Sequence, residues 1–397
     1  MKFKKEIIFI IIGILLIGII AFTTYKFTNN NSSKSGNTNT SNNVKVVGES
    51  VDINLSDSYT ITKGGTYNLS GKIDNGLISI NTDADVKLVL NSVTITNNNG
   101  PCILVENAKN VYITINGENT LTSSNLTDEY DSTIYSKDDL IFDGDGSITI
   151  NSNLDGITSK DDLTINSGTY IINSEDDSIK GKDSVTIEDG TFTINSKGDG
   201  IKTTNEEDIE KGIITINNGT INITSVKDGF DSTNKLIVNN GTITIKSNDD
   251  GMHADGYLEI NGGSINIDAV EGLESTYIKI NDGTININAS DDGINATNKS
   301  TNYDVVVEIN GGNITINMAQ GDTDGIDSNG NLYINGGTIN ITGQSPFDYD
   351  GEAKYTSGTM IINGKETTEI TNQFAGGGMM GIPQGERPND QRMNGRR

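Results

Sequence analysis

One motif recurs about every 22 residues from Gly146 to Gly364, and it confines the chain to a stack of similar coils. Each copy opens Gly-Thr-Ile-x-Ile, passes through Asp-Gly-apolar, and closes x-Ile-Asn-x-Gly. Its glycines recur at 146, 168, 190, 219, 241, 263, 283, 312 and 337, with spacings of 22, 22, 29, 22, 22, 20, 29 and 25. Each 29 is a 22 carrying a seven-residue insertion. Within a copy, Thr220-Ile221-Asn222-Ile223 and Ile214-Thr215-Ile216-Asn217 alternate strictly and are β-branched, as strands require. The turn glycines mark backbone positions that need positive φ. The chain is predicted to be all-β: a right-handed, single-stranded parallel β-helix.

A solenoid grows linearly, so 397 residues can form one domain. Apolar residues are 33% of the chain, which suits a thin Ile/Val/Leu core wrapped in Asn, Thr, Ser and Asp. The β-branched alternation excludes a disordered polar chain over 49–364. Net charge is −26; residues 1–43 hold +4 and residues 372–397 hold +2, leaving −32 on the body. Such a body repels nucleic acid and anionic lipid, and meets an acidic polysaccharide only with a divalent cation between them. Cys102 is the single cysteine, so there is no internal disulfide framework. Within Pro101-Cys102-Ile103-Leu104-Val105 it reads as a small buried residue, with its only histidine partner, His253, many coils away.

Four segments are expected. Residues 1–25 form an N-terminal membrane anchor or signal segment: Lys2, Lys4 and Lys5 precede the uncharged run Ile7 to Phe22, which sends the rest of the chain outside. No Ala-x-Ala pattern comes after the run, so an uncleaved anchor is the stronger reading. Residues 26–48 are a flexible Asn/Ser/Thr-rich spacer. Residues 49–370 are the β-helix, irregular to about 124, where atypical coils cap the stack. Residues 371–397 are a disordered Gly/Met/Arg tail.

Alignment on the turn glycines reveals a carboxylate column: Asp155, Asp177, Asp199, Asp228, Asp250, Glu271, Asp292 and Asp324. Glycine usually follows, then an apolar inward residue such as Ile157, Phe230 or Met252. The next residue points outward again, giving a second column of Thr158, Lys180, Lys202, Asp231, His253, Glu274, Asn295 and Asp327. The intervening glycine is expected to leave open space above it. Asp-Gly turn preference explains part of the first column but not the acids of the second, at Asp231, Glu274 and Asp327. Like charges stacked at about 4.8 Å are costly. A calcium ion, taking about six to eight oxygens at roughly 2.3–2.6 Å, reaches carboxylates on two rungs at once. Asp228, Asp231, Asp250, Glu271, Glu274 and Asp292 are the densest candidate ligands, with a second set around Asp322, Asp324 and Asp327. Neither the EF-hand loop nor the nonapeptide calcium roll has this spacing. The insertions, Glu206 to Gly212 and from Lys299, leave one corner four rungs apart and would wall a groove holding Asp228, Asp250 and Glu271.

Several stretches resemble a bacterial, chiefly clostridial, family of secreted carbohydrate-binding parallel β-helix proteins with a pectate-lyase-like fold. They are Gly65-Thr66-Tyr67-Asn68-Leu69-Ser70-Gly71, Asp177-Ser178-Ile179-Lys180-Gly181-Lys182, Gly198-Asp199-Gly200-Ile201-Lys202-Thr203-Thr204-Asn205, Glu271-Gly272-Leu273-Glu274 and Ser290-Asp291-Asp292-Gly293-Ile294-Asn295-Ala296. The resemblance covers roughly residues 45 to 385. It implies binding of acidic glycans such as polygalacturonate, with calcium and little or no catalysis.

On this reading the protein is extracellular, at the cell surface or secreted, monomeric, and attached to membrane only through its N-terminal segment. Its partner is an acidic plant or extracellular polysaccharide, contacted through Lys180, Lys202, Asp228, Asp231, His253 and Glu274. The chain has no Trp, and Tyr and Phe form no outward column in the repeats, which argues against a flat cellulose platform. Two alternatives stand beside this reading. A calcium-dependent polysaccharide lyase would need a lysine base, yet Lys180 and Lys202 have anionic neighbours that keep them protonated. A surface stalk or adhesin would have no dedicated glycan ligand.

Overall fold

The computed structural model describes residues 46, 48–321 and 323–372. Among them are thirty-eight strands, from Glu49–Leu55 to Lys365–Thr367, and no helix. One coil shows how the motif folds. Thr169–Ser174 buries Tyr170 and Ile172 and turns Thr169, Ile171 and Asn173 outward. A corner at Glu175, Asp176 and Asp177 leads into Ile179–Gly181, and a second corner leads into Ser184–Ile187. Gly190, at φ 138°, then carries the chain into Thr191–Ser196, which lies in parallel register on Thr169–Ser174, Tyr170 against Phe192 and Ile172 against Ile194.

Repetition of this path makes three parallel sheets: the ladder face through Ile179–Gly181, the second face through Ser184–Ile187, and the third face through Thr191–Ser196. Inside the ladder face runs a buried column of Ile157, Ile179, Ile201, Phe230, Met252, Leu273, Ile294, Ile326 and Phe347, each paired with the next. Each such side chain contributes about 1.5–3 kcal/mol by leaving water. Tyr170 and Phe192 stack inside the third face with centroids 4.9 Å apart. The antiparallel pair Thr359–Ile362 and Lys365–Thr367 stands at the C-terminal end of the third face.

The irregular N-terminal coils follow the same plan, with strands at Val86–Asn91, Thr94–Asn97 and Val111–Asn116. Cys102 is fully buried, with its thiol against Ile95 O and Thr122 O, and burial pushes its pKa up to about 11. The expected anchor, the spacer apart from Val46 and Gly48, the tail beyond Asn372, and Asp322 lie outside the described residues. Among the described residues no helix is long and apolar enough to cross a membrane.

The glycine column corrects one expectation. A Cβ on Gly229 would stand 2.5 Å from both Gly251 O and Ile245 Cγ2, and one on Gly251 would stand 2.4 Å from Ile267 Cγ2. These glycines do not open space above the face. They let each corner close down on the next coil and on the third-face isoleucine behind it.

Candidate functional site

The aspartate column is part of the fold's hydrogen bonding. Each corner leaves a backbone N–H pointing along the stack, where no strand ladder receives it, and a buried N–H needs an acceptor. The carboxylate of the preceding coil supplies one. Asp177 N–H donates to Asp155 Oδ1 at 3.0 Å, Asp199 N–H to Asp177 Oδ1 at 2.8 Å, Asp228 N–H to Asp199 Oδ1 at 3.0 Å, and Asp250 N–H to Asp228 Oδ1 at 2.8 Å. The series resumes where Asp324 N–H donates to Asp292 Oδ1 at 3.0 Å. One oxygen of each capping aspartate therefore serves the fold, and the second oxygens of Asp155 and Asp199 meet Lys180 and Lys202 of the neighbouring column. Glu271 departs from this pattern: its Oε2 accepts from Asn295 Nδ2 at 2.9 Å.

The second column stands in the expected register, Thr158, Lys180, Lys202, Asp231, His253, Glu274, Asn295, Asp327, and continues to Asp348. Its side chains point away from the core but are sunk among one another: Glu274 is 6% exposed and Asn295 8%. Burial forces charge matching. Lys180 pairs with Asp155 and with Asp131 at 3.0 Å. Lys202 Nζ lies 2.6 Å from Asp199 Oδ2 and 2.5 Å from Asp231 Oδ2. Burial would lower both lysines, but these carboxylates outweigh it and hold them above the ordinary lysine range.

His253 is the centre of the column. Its Nδ1 lies 3.0 Å from Asp250 Oδ2 and 2.7 Å from Glu274 Oε2, and its Nε2 lies 3.1 Å from Asp255 Oδ1. Burial pulls its pKa down, yet three carboxylates push it up to about 12, so it is an imidazolium at neutral pH. Lys299, the first residue of the second insertion, reaches Glu274 Oε1 at 2.8 Å. Burial alone would raise Glu274, but His253 and Lys299 bring it to about 2.

At other acids burial outweighs whatever pairing they have. Burial, then repulsion from Asp250, raises Asp228 to about 8. Burial, with Glu274, Asp250 and Asp292 nearby, raises Glu271 to about 8. Burial is also the main cause at Asp327, about 7, and at Asp250 and Asp292, about 6 each.

The residues named from sequence do converge. Ligand atoms of Asp199, Asp228 and Asp231 lie within 4.8 Å of one another, as do those of Asp228, Asp250 and His253, and of Asp250, Glu271 and Glu274. Asp292, Asp324 and Asp327 stand on the next rungs toward the C-terminus. Lys202 lies inside the first of these groups, against Asp199 and Asp231, and Lys180 stands one rung earlier. The donors are all hard oxygens apart from His253, as calcium requires. Asn295 gives the sharpest test of fit: its Oδ1 is buried without a hydrogen-bond partner, beside Glu271.

Seven participants escaped the sequence reading. Asp131 sits one position before Ser132, which is the register partner of Asp155, so it falls off the aligned column. Asp255 and Lys299 lie outside both columns, and Asn295 was placed in its column without a role. The other three are aromatic. Tyr257 and Tyr277 are outward register partners on the second face, and Tyr303 of the insertion stacks on Tyr257. Tyr257 and Tyr277 are a local pair, flanked in register by Lys235 and Val306, and do not extend into a column. Both insertions leave the corner between the ladder face and the second face: the second is held by Lys299 and Ser300 N–H donating to Thr276 Oγ1, and Lys211 of the first pairs with Asp183 at that corner on the preceding coil.

A model of the family described as carbohydrate-binding domain-containing protein matches residues 55–250 and 247–375. A carbohydrate-binding domain-containing protein of Acetivibrio thermocellus is 34% identical over 140 residues, 32% of this chain and 49% of that protein. The chain thus spans about half the length of this curated relative. Among solved structures, a gadolinium derivative of a polysaccharide lyase-like protein from C. thermocellum is similar with a TM-score of 0.50 and 30% identity. That likeness covers 53% of this chain and 95% of the solved one.

Proposed function

Since the chain belongs to the carbohydrate-binding domain-containing protein family, we propose that it is an extracellular, non-catalytic protein that holds an acidic polysaccharide through calcium on its ladder face. One observation carries the reading. At Glu271 and Asn295 a carboxyl group raised to about 8 and an unpartnered amide oxygen stand together next to the charge-matched stretch around His253. A divalent cation there would satisfy both. Asp228, Asp250, Glu271, Asn295 and Asp292 would hold it or its neighbour. When bound, it supplies positive charge that can accept a uronate carboxylate against a body of −32.

The residues around that place do the positioning. Asp231, Asp250 and Glu274 already face Lys202, His253 and Lys299, so their ordinary task is to keep the column rigid. The non-catalytic part of the proposal rests on the lysines. A β-elimination base must be neutral, and Lys180 and Lys202 are held protonated between pairs of aspartates. A polysaccharide lyase is the second reading, favoured only by the name of the similar solved protein.

Affinity electrophoresis through gels containing polygalacturonate, with calcium and then with EGTA, tests the proposal. Retardation that EGTA abolishes is the expected result. Unchanged mobility in both gels overturns it, and release of unsaturated uronides in solution would replace it with the lyase.

A further inference from the structure

We infer that the folded chain joins Lys180 to Asp155 through an isopeptide bond, an amide between the two side chains, with Asp131 moving the protons.

The three side chains come from three successive coils. Asp131 precedes Ser132, the register partner of Asp155, and Lys180 lies on the next coil, in register with Thr158. Lys180 Nζ reaches back to Asp155 Oδ2 and stands 3.0 Å from Asp131 Oδ2. Side-chain exposure is 1% at Asp155 and 14% at Lys180, so little water competes for the carboxyl carbon.

Each carboxyl is placed for a different task. Burial raises Asp155 to about 7 even against the pull of Lys180, which favours the neutral acid that an amine can attack. Asp155 Oδ1 accepts the Asp177 N–H at 3.0 Å, and that donor steadies the negative charge gathering on Oδ1 as Nζ adds. Asp131 Oδ2 accepts from Lys180, while its Oδ1 is buried with no hydrogen-bond partner among the described residues. No donor therefore competes with a proton for that oxygen.

The reaction is a condensation. Lys180 rests as an ammonium. Asp131 takes one proton from Nζ and passes it to Asp155 Oδ2, and the freed amine adds to Cγ. A second proton follows the same route as the Cγ–Oδ2 bond breaks. Oδ2 leaves as water and Oδ1 remains as the amide carbonyl. One ammonium and one carboxylate thus give one amide and one water, with no change of oxidation state. Partners held in place react as though at about 10⁵–10⁸ M, and two buried charges disappear. The bond ties neighbouring coils in a chain whose single cysteine has no partner for an internal disulfide. Lys202 is the contrast: it is 23% exposed, and its buried carboxylate, Asp199, lies on its own coil, three residues away.

Tryptic mapping of the full chain, unfolded in guanidinium chloride before digestion, tests the bond. Trypsin should not cut after Lys180, and peptides 138–160 and 161–182 should appear as one species, lighter than their sum by one water. A free peptide 138–160 together with cleavage after Lys180 overturns the inference. Asp131→Asn, with the far-ultraviolet circular dichroism of the native chain retained, should reduce the joined species about tenfold or more. Asp131→Glu keeps a carboxyl and should restore it. Full joining in Asp131→Asn, or a loss that Asp131→Glu does not restore, overturns the part given to Asp131.

Discussion

His253 Nδ1 lies 2.7 Å from Glu274 Oε2 on the next rung, inside a cage completed by Asp250 and Asp255. The pair is an internal cation and anion stacked where a column of like charges would otherwise stand. Because this is the chain's only histidine, its state can be read in isolation. A single imidazole NMR signal should stay at its protonated shift from pH 5 to about 8, since the group titrates at about 12. A midpoint near the ordinary value of about 6.5 would show that the cage does not form.

Removing that cation leaves buried carboxylates unpaired. His253→Ala should cost about 3–5 kcal/mol, the usual result of deleting one partner of a buried ion pair. Urea unfolding monitored by far-ultraviolet circular dichroism would measure it. A loss below about 1 kcal/mol would show the column to be open to solvent.

Stability should fall as pH rises, opposite to ordinary acid denaturation. Asp228 and Glu271 have folded pKa values raised to about 8, above unfolded values of about 4. The folded state therefore holds more protons than the unfolded state between pH 4 and 8. Stability from these groups is fully present below pH 4 and is lost as pH climbs through 8. His253 has the same sign, its contribution declining only above about 6.5. Melting temperature in EGTA should drop between pH 5 and 8, and calcium should restore it at pH 8 by neutralising the same carboxylates. A rise with pH in EGTA would contradict the assignment.

Asn295→Ala and Glu271→Gln separate a cation site from a purely structural contact. Both should weaken calcium binding measured by titration calorimetry, Glu271→Gln by tenfold or more, about 1.4 kcal/mol. Unaltered affinity in both variants would place calcium elsewhere on the column.

The corner glycines make a prediction about packing alone. Gly229→Ala puts a methyl 2.5 Å from Gly251 O, a clash that backbone cannot avoid. It should destabilise by about 1–3 kcal/mol, as overpacking does, without altering the apparent pKa of His253. A neutral effect in urea would mean that the coils can separate at this corner.

The sequence by itself determined the coils, the strand faces, and which residue of each coil stacks on which. A repeated motif, aligned on its turn glycines, and strict alternation leave one parallel register, so Lys202, Asp231, His253 and Glu274 were bound to fall in one column. The tertiary structure decided what those columns do to each other. Lys180 meets Asp131 across 49 residues, off the aligned positions, and one oxygen of Asp228 is committed to the Asp250 N–H. Lys299 and Tyr303 lie in an insertion, where the period says nothing about direction. Periodicity specifies position along the stack. Pairing between columns depends on side-chain reach and burial, which exist only once neighbouring coils have closed on one another.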